Sequence, residues 1–255
     1  MRMIEVRNLK TEYAYGEPFV VGEAGFSAGQ ITAVIGRNGS GKSTLLKTLA
    51  GQKNYSGSIL ISGKECRDYN PMERAKEIAF LPQSVKGLNL DVKTLAEHGR
   101  FPYHGNFRKM TGEDREKIEK ALLLTGMKEY ADRELKELSG GERQRAYLAM
   151  VIAQDSPMIL MDEPTTYMDH LHRESFFGVL KQLAGEGKGI VMVCHDIEQS
   201  FAYSDRIVLM ENRRLEFAGT PAELVKKEEL MRKNFGVAMR RTDGGEALYP
   251  YGLKR

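Results

Sequence analysis

The sequence is poor in cysteine: only Cys66 and Cys194 occur in 255 residues, and Cys194 ends the apolar run Ile190-Val191-Met192-Val193. A buried, reduced thiol is the expected state there, which fits a reducing cytosol. Long apolar runs are also missing, since no stretch approaches the roughly 20 residues that span a bilayer. The first residues, Met1 to Arg7, lack the apolar segment of a signal peptide. Any contact with a membrane is therefore expected to go through another subunit. Charge of one sign is not in excess, with 38 Lys and Arg against 35 Asp and Glu and a formal net charge of +3, so composition gives no strong pull toward nucleic acid. No fixed-period repeat, low-complexity tract or Pro-rich linker is visible. A chain of this length can bury a full core as one large domain, or one domain carrying a subdomain.

What is present is punctuated regularly. Apolar runs at Ile31–Ile35, Ile78–Leu81, Met158–Met161, Ile190–Cys194 and Ile207–Met210 read as buried strands, most of them separated by helical stretches. That alternation predicts an α/β fold with a mostly parallel sheet covered by helices. Asn70-Pro71 is an N-cap followed by a first-turn proline, and Thr220-Pro221-Ala222-Glu223 joins a capping box to the same device. Between Val92 and Gln154 the strands stop and successive helices are expected, one opening at Thr111 with Asp114 capping back. The Lys and Glu runs at 113–120 and 226–229 read as solvated helix faces.

After the strand Ile31–Ile35 comes Gly36-Arg37-Asn38-Gly39-Ser40-Gly41-Lys42-Ser43-Thr44, and then the helical Leu45–Ala50 stopped by Gly51. Strand, glycine-rich loop and helix stand in the order a phosphate cradle needs. Glycines let backbone N–H groups converge on phosphate oxygens, the helix N-terminus adds partial positive charge, and Lys42 can reach the β and γ phosphates. Ser43 is the natural Mg²⁺ ligand. Gly185-Glu186-Gly187-Lys188-Gly189 also spaces its glycines, but it falls between a helix and a strand and reads as a turn without a ligand.

The run Met158–Met161 leads straight into Asp162-Glu163-Pro164. In a doubly wound sheet, ligands lie beyond the carboxyl ends of the strands, which puts these acids beside the glycine loop. Asp162 is expected to hold Mg²⁺ through water, and Glu163 to orient and deprotonate an attacking water. An acidic pair that merely caps the next helix is the plainer reading. Gln83 could add an amide oxygen to the metal shell, and His195 could hydrogen-bond a γ-phosphate oxygen; either, taken singly, is more often an ordinary strand-end polar residue. His98, His104, His170 and His172 show no metal-ligand spacing with the cysteines and read as surface or packing residues.

Leu138-Ser139-Gly140-Gly141-Glu142-Arg143-Gln144-Arg145 resembles the signature motif of ABC ATPases and follows the helical insert, where that family carries it. Physically, Ser139 and the N–H groups of Gly140 and Gly141 open a helix running to Gln154, so a second anion site stands at a helix N-terminus. The resemblance implies a P-loop NTPase (RecA-like) core, an N-terminal antiparallel β portion and a helical signature subdomain. It implies one ATPase domain over 1–235, with the core at about 1–88 and 155–235, the helical subdomain at about 89–154, and a short tail at 236–255 that leaves no room for a large regulatory domain. Gly36 to Thr44 become the Walker A loop, Gln83 the Q-loop glutamine, Met158 to Asp162 the Walker B strand, Glu163 the catalytic base, Asp169 the D-loop aspartate and His195 the switch histidine. Tyr13 is favoured to stack on adenine, although Tyr15-Gly16 also matches the local pattern. Glu142 stands where Gln is usual, Arg37 where Pro is frequent, and Thr166-Tyr167-Met168-Asp169 replaces Ser-Ala-Leu-Asp, leaving open how Tyr167 and Met168 meet a dimer seam.

The same resemblance implies ATP and Mg²⁺ as cofactors and a homodimer in which the signature helix of one copy covers the ATP of the other. The stretch Gly99-Arg100-Phe101-Pro102-Tyr103-His104-Gly105, with Leu138 to Met150 and Ala153-Gln154-Asp155-Ser156, is similar to ATPases of iron-siderophore, haem and cobalamin importers. Two polytopic membrane permease subunits are then expected partners, each inserting a short helix into a groove lined by residues from Gln83 to about Gly105. The expected place is the cytoplasm, peripheral on the inner face of the plasma membrane, with no direct cargo contact. An ABC ATPase acting on ribosomes or DNA is the rival, disfavoured by the lack of a second ATPase unit or coiled-coil insert; an exporter ATPase is the nearer alternative.

Overall fold

The computed structural model describes residues 2–11, 18–83, 89–104, 109–166, 168–240 and 249–252. In chain order the elements are β1 (Arg2–Thr11), β2 (Phe19–Ser27), β3 (Ile31–Ile35), α1 (Lys42–Leu49), β4 (Ser56–Ile61), β5 (Lys64–Glu65), α2 (Pro71–Glu77) and β6 (Ile78–Leu81). A helical stretch follows with α3 (Val92–His98), α4 (Phe101–His104), α5 (Gly112–Leu124) and α6 (Gly140–Gln154). The chain then returns to the sheet through β7 (Met158–Asp162), α7 (His170–Gly185), β8 (Gly189–Val193), α8 (Ile197–Tyr203), β9 (Arg206–Glu211) and β10 (Arg214–Gly219). It continues with α9 (Pro221–Val225), α10 (Glu228–Phe235), β11 (Val237–Arg240) and β12 (Tyr249–Gly252).

Ten strands form one mixed sheet in the order β5-β4-β1-β2-β10-β9-β3-β8-β7-β6. From β9 to β6 all neighbours are parallel, while β1 pairs antiparallel with both β2 and β4. The parallel half is apolar on both faces, as a sheet covered by helices requires. Ile31, Ala33 and Ile35 pack with Ile159, Met161, Ile190 and Met192 on one side, against the helical stretch and α7. Val34, Leu160, Val191 and Val193 pack on the other, against Leu45, Leu46 and Leu49 of α1 and the apolar side of β1 and β2. This strand pairing puts Val34, Val193 and Asp162 side by side at the carboxyl edge, where the loops after β3, β8 and β7 emerge.

Helix starts follow the caps read from sequence. Asn70, Thr111 and Thr220 each accept an N–H three residues on and donate their own backbone amide to the carboxylate of the acid there. Residues 185–189 form the turn between α7 and β8. Both cysteines are buried and free, and burial pushes the Cys194 thiol up to about 12. Among the described residues no helix is long and apolar enough to cross a membrane.

Candidate active site

The loop after β3 wraps toward the N-terminus of α1. Gly36 has φ 145°, and a Cβ there would lie 2.1 Å from the Met210 carbonyl oxygen of β9, so only glycine fits. Arg37 and Asn38 are exposed; the Ser40 amide donates to the Arg37 carbonyl, and the Arg213 amide donates to the Ser40 carbonyl at 3.1 Å. Gly41, at φ 101°, stands at the N-cap of α1 and offers no side chain; the first turn holds Lys42, Ser43 and Thr44 and no acid. A helix start without a side-chain cap or a first-turn acid is suited to an anion.

Three further features fit a phosphate. The Ser40 hydroxyl is buried and has no hydrogen-bond partner among the described residues. The Lys42 ammonium, also buried, is held back by the Gly36 and Arg37 carbonyls at 2.9 and 3.1 Å, bonds that a phosphate oxygen could replace. Burial pushes its pKa down, opposed by the charges of Glu163 and Asp162, so it stays near two carboxylates that favour its charged form.

Ser43 donates its hydroxyl to Asp162 Oδ1 at 2.9 Å across the gap between α1 and β7. Asp162 is only 2% exposed; burial pushes its carboxyl up, Ser43 draws it down, and the Glu163 charge adds to the rise. A hydroxyl and a carboxylate are the hard oxygen donors that Mg²⁺ takes together with phosphate and water. Among the described residues no group of three His, Cys, Asp or Glu could hold a metal.

Glu163 leaves β7 with φ 54°, a left-handed conformation uncommon for a non-glycine residue and often found at functional turns. Thr166 steadies the turn by donating its hydroxyl to the Glu163 carbonyl at 3.1 Å. The carboxylate meets two side chains at once: Gln83 after β6 donates Nε2 to Oε2, and His195 after β8 places Nε2 on Oε1. Three separate strand ends thus converge on one acid.

Ser139, Gly140 and Gly141 lie on another element, at the start of α6. Ser139 accepts the Glu142 amide, and its own amide donates to Glu142 Oε2 at 2.8 Å. These bonds, the Ser139 hydroxyl first, hold the Glu142 carboxyl below its usual range. Asp169 caps α7, accepting the His172 amide at 2.9 Å and meeting His172 Nδ1 at 2.8 Å. Thr44 is partly buried in the first turn of α1. Met168 is buried in the chain's own core; Tyr167, Tyr13 and Tyr15 lie outside the described residues.

Sequence reasoning missed Arg100, which is buried and ion-paired to Asp114 at 2.9 Å; His104 joins the same carboxylate at 2.8 Å. The only local sign was an aspartate at a capping position, which marks the start of α5 without revealing the partners.

The pattern of the family described as ABC transporter matches residues 23–166. The petrobactin import ATP-binding protein FpuD of Bacillus anthracis is 39% identical over 227 residues, covering 87% of this chain and 83% of its own length. The iron(3+)-hydroxamate import ATP-binding protein FhuC of Bacillus subtilis is 36% identical over 88% of this chain and 87% of its own. Among solved structures, a dimeric post-hydrolysis ATP-binding cassette bound to ADP and Pi superposes with TM-score 0.75 at 27% identity, covering 86% of this chain and 99% of its own.

Proposed function

The chain belongs to the ABC transporter family, and from that premise we infer that it hydrolyses ATP for a siderophore importer, as a pair of identical copies attached to separate membrane subunits. The observation that carries this reading is the Glu163 carboxylate, held between Gln83 and His195 beside the Ser43–Asp162 pair and the glycine loop. Similarity to FpuD and FhuC supports iron-siderophore cargo, and the solved dimeric cassette supports the pairing.

On this reading the loop from Gly36 to Thr44 and the first turn of α1 cradle the β and γ phosphates. Lys42 swings from the loop carbonyls to the phosphate oxygens. Ser43 and Asp162, with Gln83 joining from β6, would hold a Mg²⁺ ion, which when bound would neutralise charge building on the phosphates. Glu163 orients a water in line with the γ phosphorus and accepts its proton, work worth about 10² to 10⁴ in rate for a positioned base. His195 fixes the Glu163 carboxylate and can turn a ring N–H to a γ-phosphate oxygen. The aromatic expected against adenine is Tyr13, with Tyr15 its alternative.

The remaining side of the phosphate is closed by the second copy, through Ser139, Gly140 and Gly141 at the start of its α6, with Asp169 near the seam. We assign the core to about 1–88 and 155–235, the helical subdomain to about 89–154 and the tail to 236–255. The membrane subunits would meet the groove from Gln83 to Gly105, placing the protein at the inner face of the plasma membrane, and cargo never touches it.

Mixing two inactive chains tests the shared site. Lys42→Ala spoils the glycine loop and Ser139→Ala the signature end. A heterodimer of the two keeps one intact pair, so the mixture is expected to hydrolyse ATP faster than either variant alone. A mixture no faster than its components would rule out a site built from two chains.

A further inference from the structure

We infer that Arg100 is a positioning residue for hydrolysis: it fixes the carboxyl end of α6, and thereby aims Ser139–Gly141 at the opposite end toward the second copy. This rests on the shared site proposed above. Helix α6 has 15 residues and is about 22 Å long, so Arg100 stands far from any phosphate and acts only through the helix.

The contact is built as a fork. Arg100 is 3% exposed, and its Nε donates to Asp114 Oδ1 at 2.9 Å. Nη1 donates to the Ala153 and Gln154 carbonyls at 2.9 and 3.2 Å, two acceptors in the last turn of α6, where carbonyls lack an intrahelical partner. The guanidinium also stacks on the Tyr103 ring, 3.9 Å from its centre. Asp114 is held in turn by the Thr111 amide at 2.8 Å and by His104. Burial alone would raise the Asp114 carboxyl, but Thr111, His104 and Arg100 outweigh it and leave it well below the usual range, a charged partner at neutral pH.

The same helix end is fastened from its other side to α2 and the first residue of β6. Gln154 donates Nε2 to the carbonyls of Ala75 and Ile78, and Ser156 donates to the Ala75 carbonyl at 2.8 Å. Asp155 pairs with Lys117 and Lys188 at 2.9 and 2.7 Å. The end of α6 is thus gripped between the junction of α2 with β6, the strand that leads to Gln83, and the turn at Gly99–Arg100. Phe101, next in the chain, is 47% exposed, so a load on this turn passes through Arg100 into α6. Gly99 sets the closeness: a Cβ there would lie 2.3 Å from the Met150 carbonyl oxygen and 3.0 Å from the Gln154 nitrogen.

Arg100→Lys keeps the charge but loses the planar fork that reaches a carboxylate and two carbonyls together. In the full chain, binding of a fluorescent ATP analogue by dilute protein is expected within about twofold of the unmodified chain, while kcat falls roughly 10- to 100-fold, the range a misplacement of about 1 Å produces. KM for ATP should barely move. Gly99→Ala forces the same contact apart without altering a charge and is expected to lower kcat in the same sense. Thermal melts establish that each variant is folded. Ser139→Ala, measured in parallel, separates two failures: unchanged hydrolysis there removes the shared site itself, whereas a loss there with full kcat in a folded Arg100→Lys or Gly99→Ala removes only the positioning role. Equal loss of nucleotide binding, or unfolding of both variants, would also overturn it, since Arg100 would then be a prop for the whole chain.

Discussion

Two helices of this chain begin at glycine-rich turns suited to anions, and they begin differently. At α1 the N-cap is Gly41, which has no side chain to cap the helix, and no acid sits in the first turn. At α6 the N-cap is Ser139, and Glu142 closes a reciprocal box over it. The first end, with no side chain at its N-cap, is the more open and carries Lys42. The second is the more closed: its Ser139 amide already meets a carboxylate of its own chain, which leaves a negative charge close to the Gly140 and Gly141 amides that a phosphate would approach. The contrast suits a nucleotide that binds one copy tightly and recruits the other copy afterwards.

The largest expected effect comes from trapping both ends on one nucleotide. Glu163→Gln should keep ATP binding and slow hydrolysis by about 10² to 10⁴, so that an ATP-dependent dimer accumulates on size exclusion. Normal turnover would take the base role from Glu163. A smaller effect probes the open end alone. Ser40 has a buried hydroxyl without a partner among the described residues. Ser40→Ala should leave the nucleotide-free chain as stable or slightly more so, while ATP affinity falls by about 3- to 10-fold, the equivalent of one net hydrogen bond. A lower melting temperature without nucleotide would mean that the hydroxyl serves the fold.

The smallest effect probes the closed end. Glu142→Gln removes a negative charge from the first turn of α6, and the ATP-driven dimer should tighten by about 2- to 5-fold, matching roughly 0.3–1 kcal/mol for a charge at a helix end. The pH dependence has a definite sign. The Glu142 carboxyl lies below its ordinary range in the folded chain, so its contribution to the cap is complete above that range and is lost only as pH falls through the lowered value. The ratio of variant to unmodified dimer affinity should therefore be flat from about pH 6 to 8. A ratio that changes there would point to another titrating group.

The legible and the hidden parts of the molecule divide along physical lines. Segments buried on both faces were plain, because Ile31–Ile35, Met158–Met161 and Ile190–Val193 are continuous apolar runs. The glycine loop and Asp162-Glu163 were plain because their residue types sit next to one another in the chain. Strands β2 and β4 were not identified residue by residue, since β2 has an irregular mix of buried, half-buried and exposed positions and both strands contain glycine; the antiparallel portion entered only through family resemblance. The meeting of Gln83, Glu163 and His195 needed the order of β6, β7 and β8, because their separation along the chain exceeds any local pattern. The Arg100–Asp114 pair spans 14 positions: in the sequence Arg100 figures only within the Gly99–Gly105 resemblance and Asp114 only as a capping residue, and neither pattern joins them.

The turn between β9 and β10 ties these parts together. Asn212 and Arg213 have φ 45° and 63°, which lets the Arg213 amide hold the Ser40 carbonyl while the Arg213 carbonyl accepts the Val20 amide at 2.9 Å. One residue thus pins the phosphate loop to the antiparallel strands before any nucleotide arrives. The ordering entropy of the cradle is met during folding, leaving more of the contact free energy to appear as affinity.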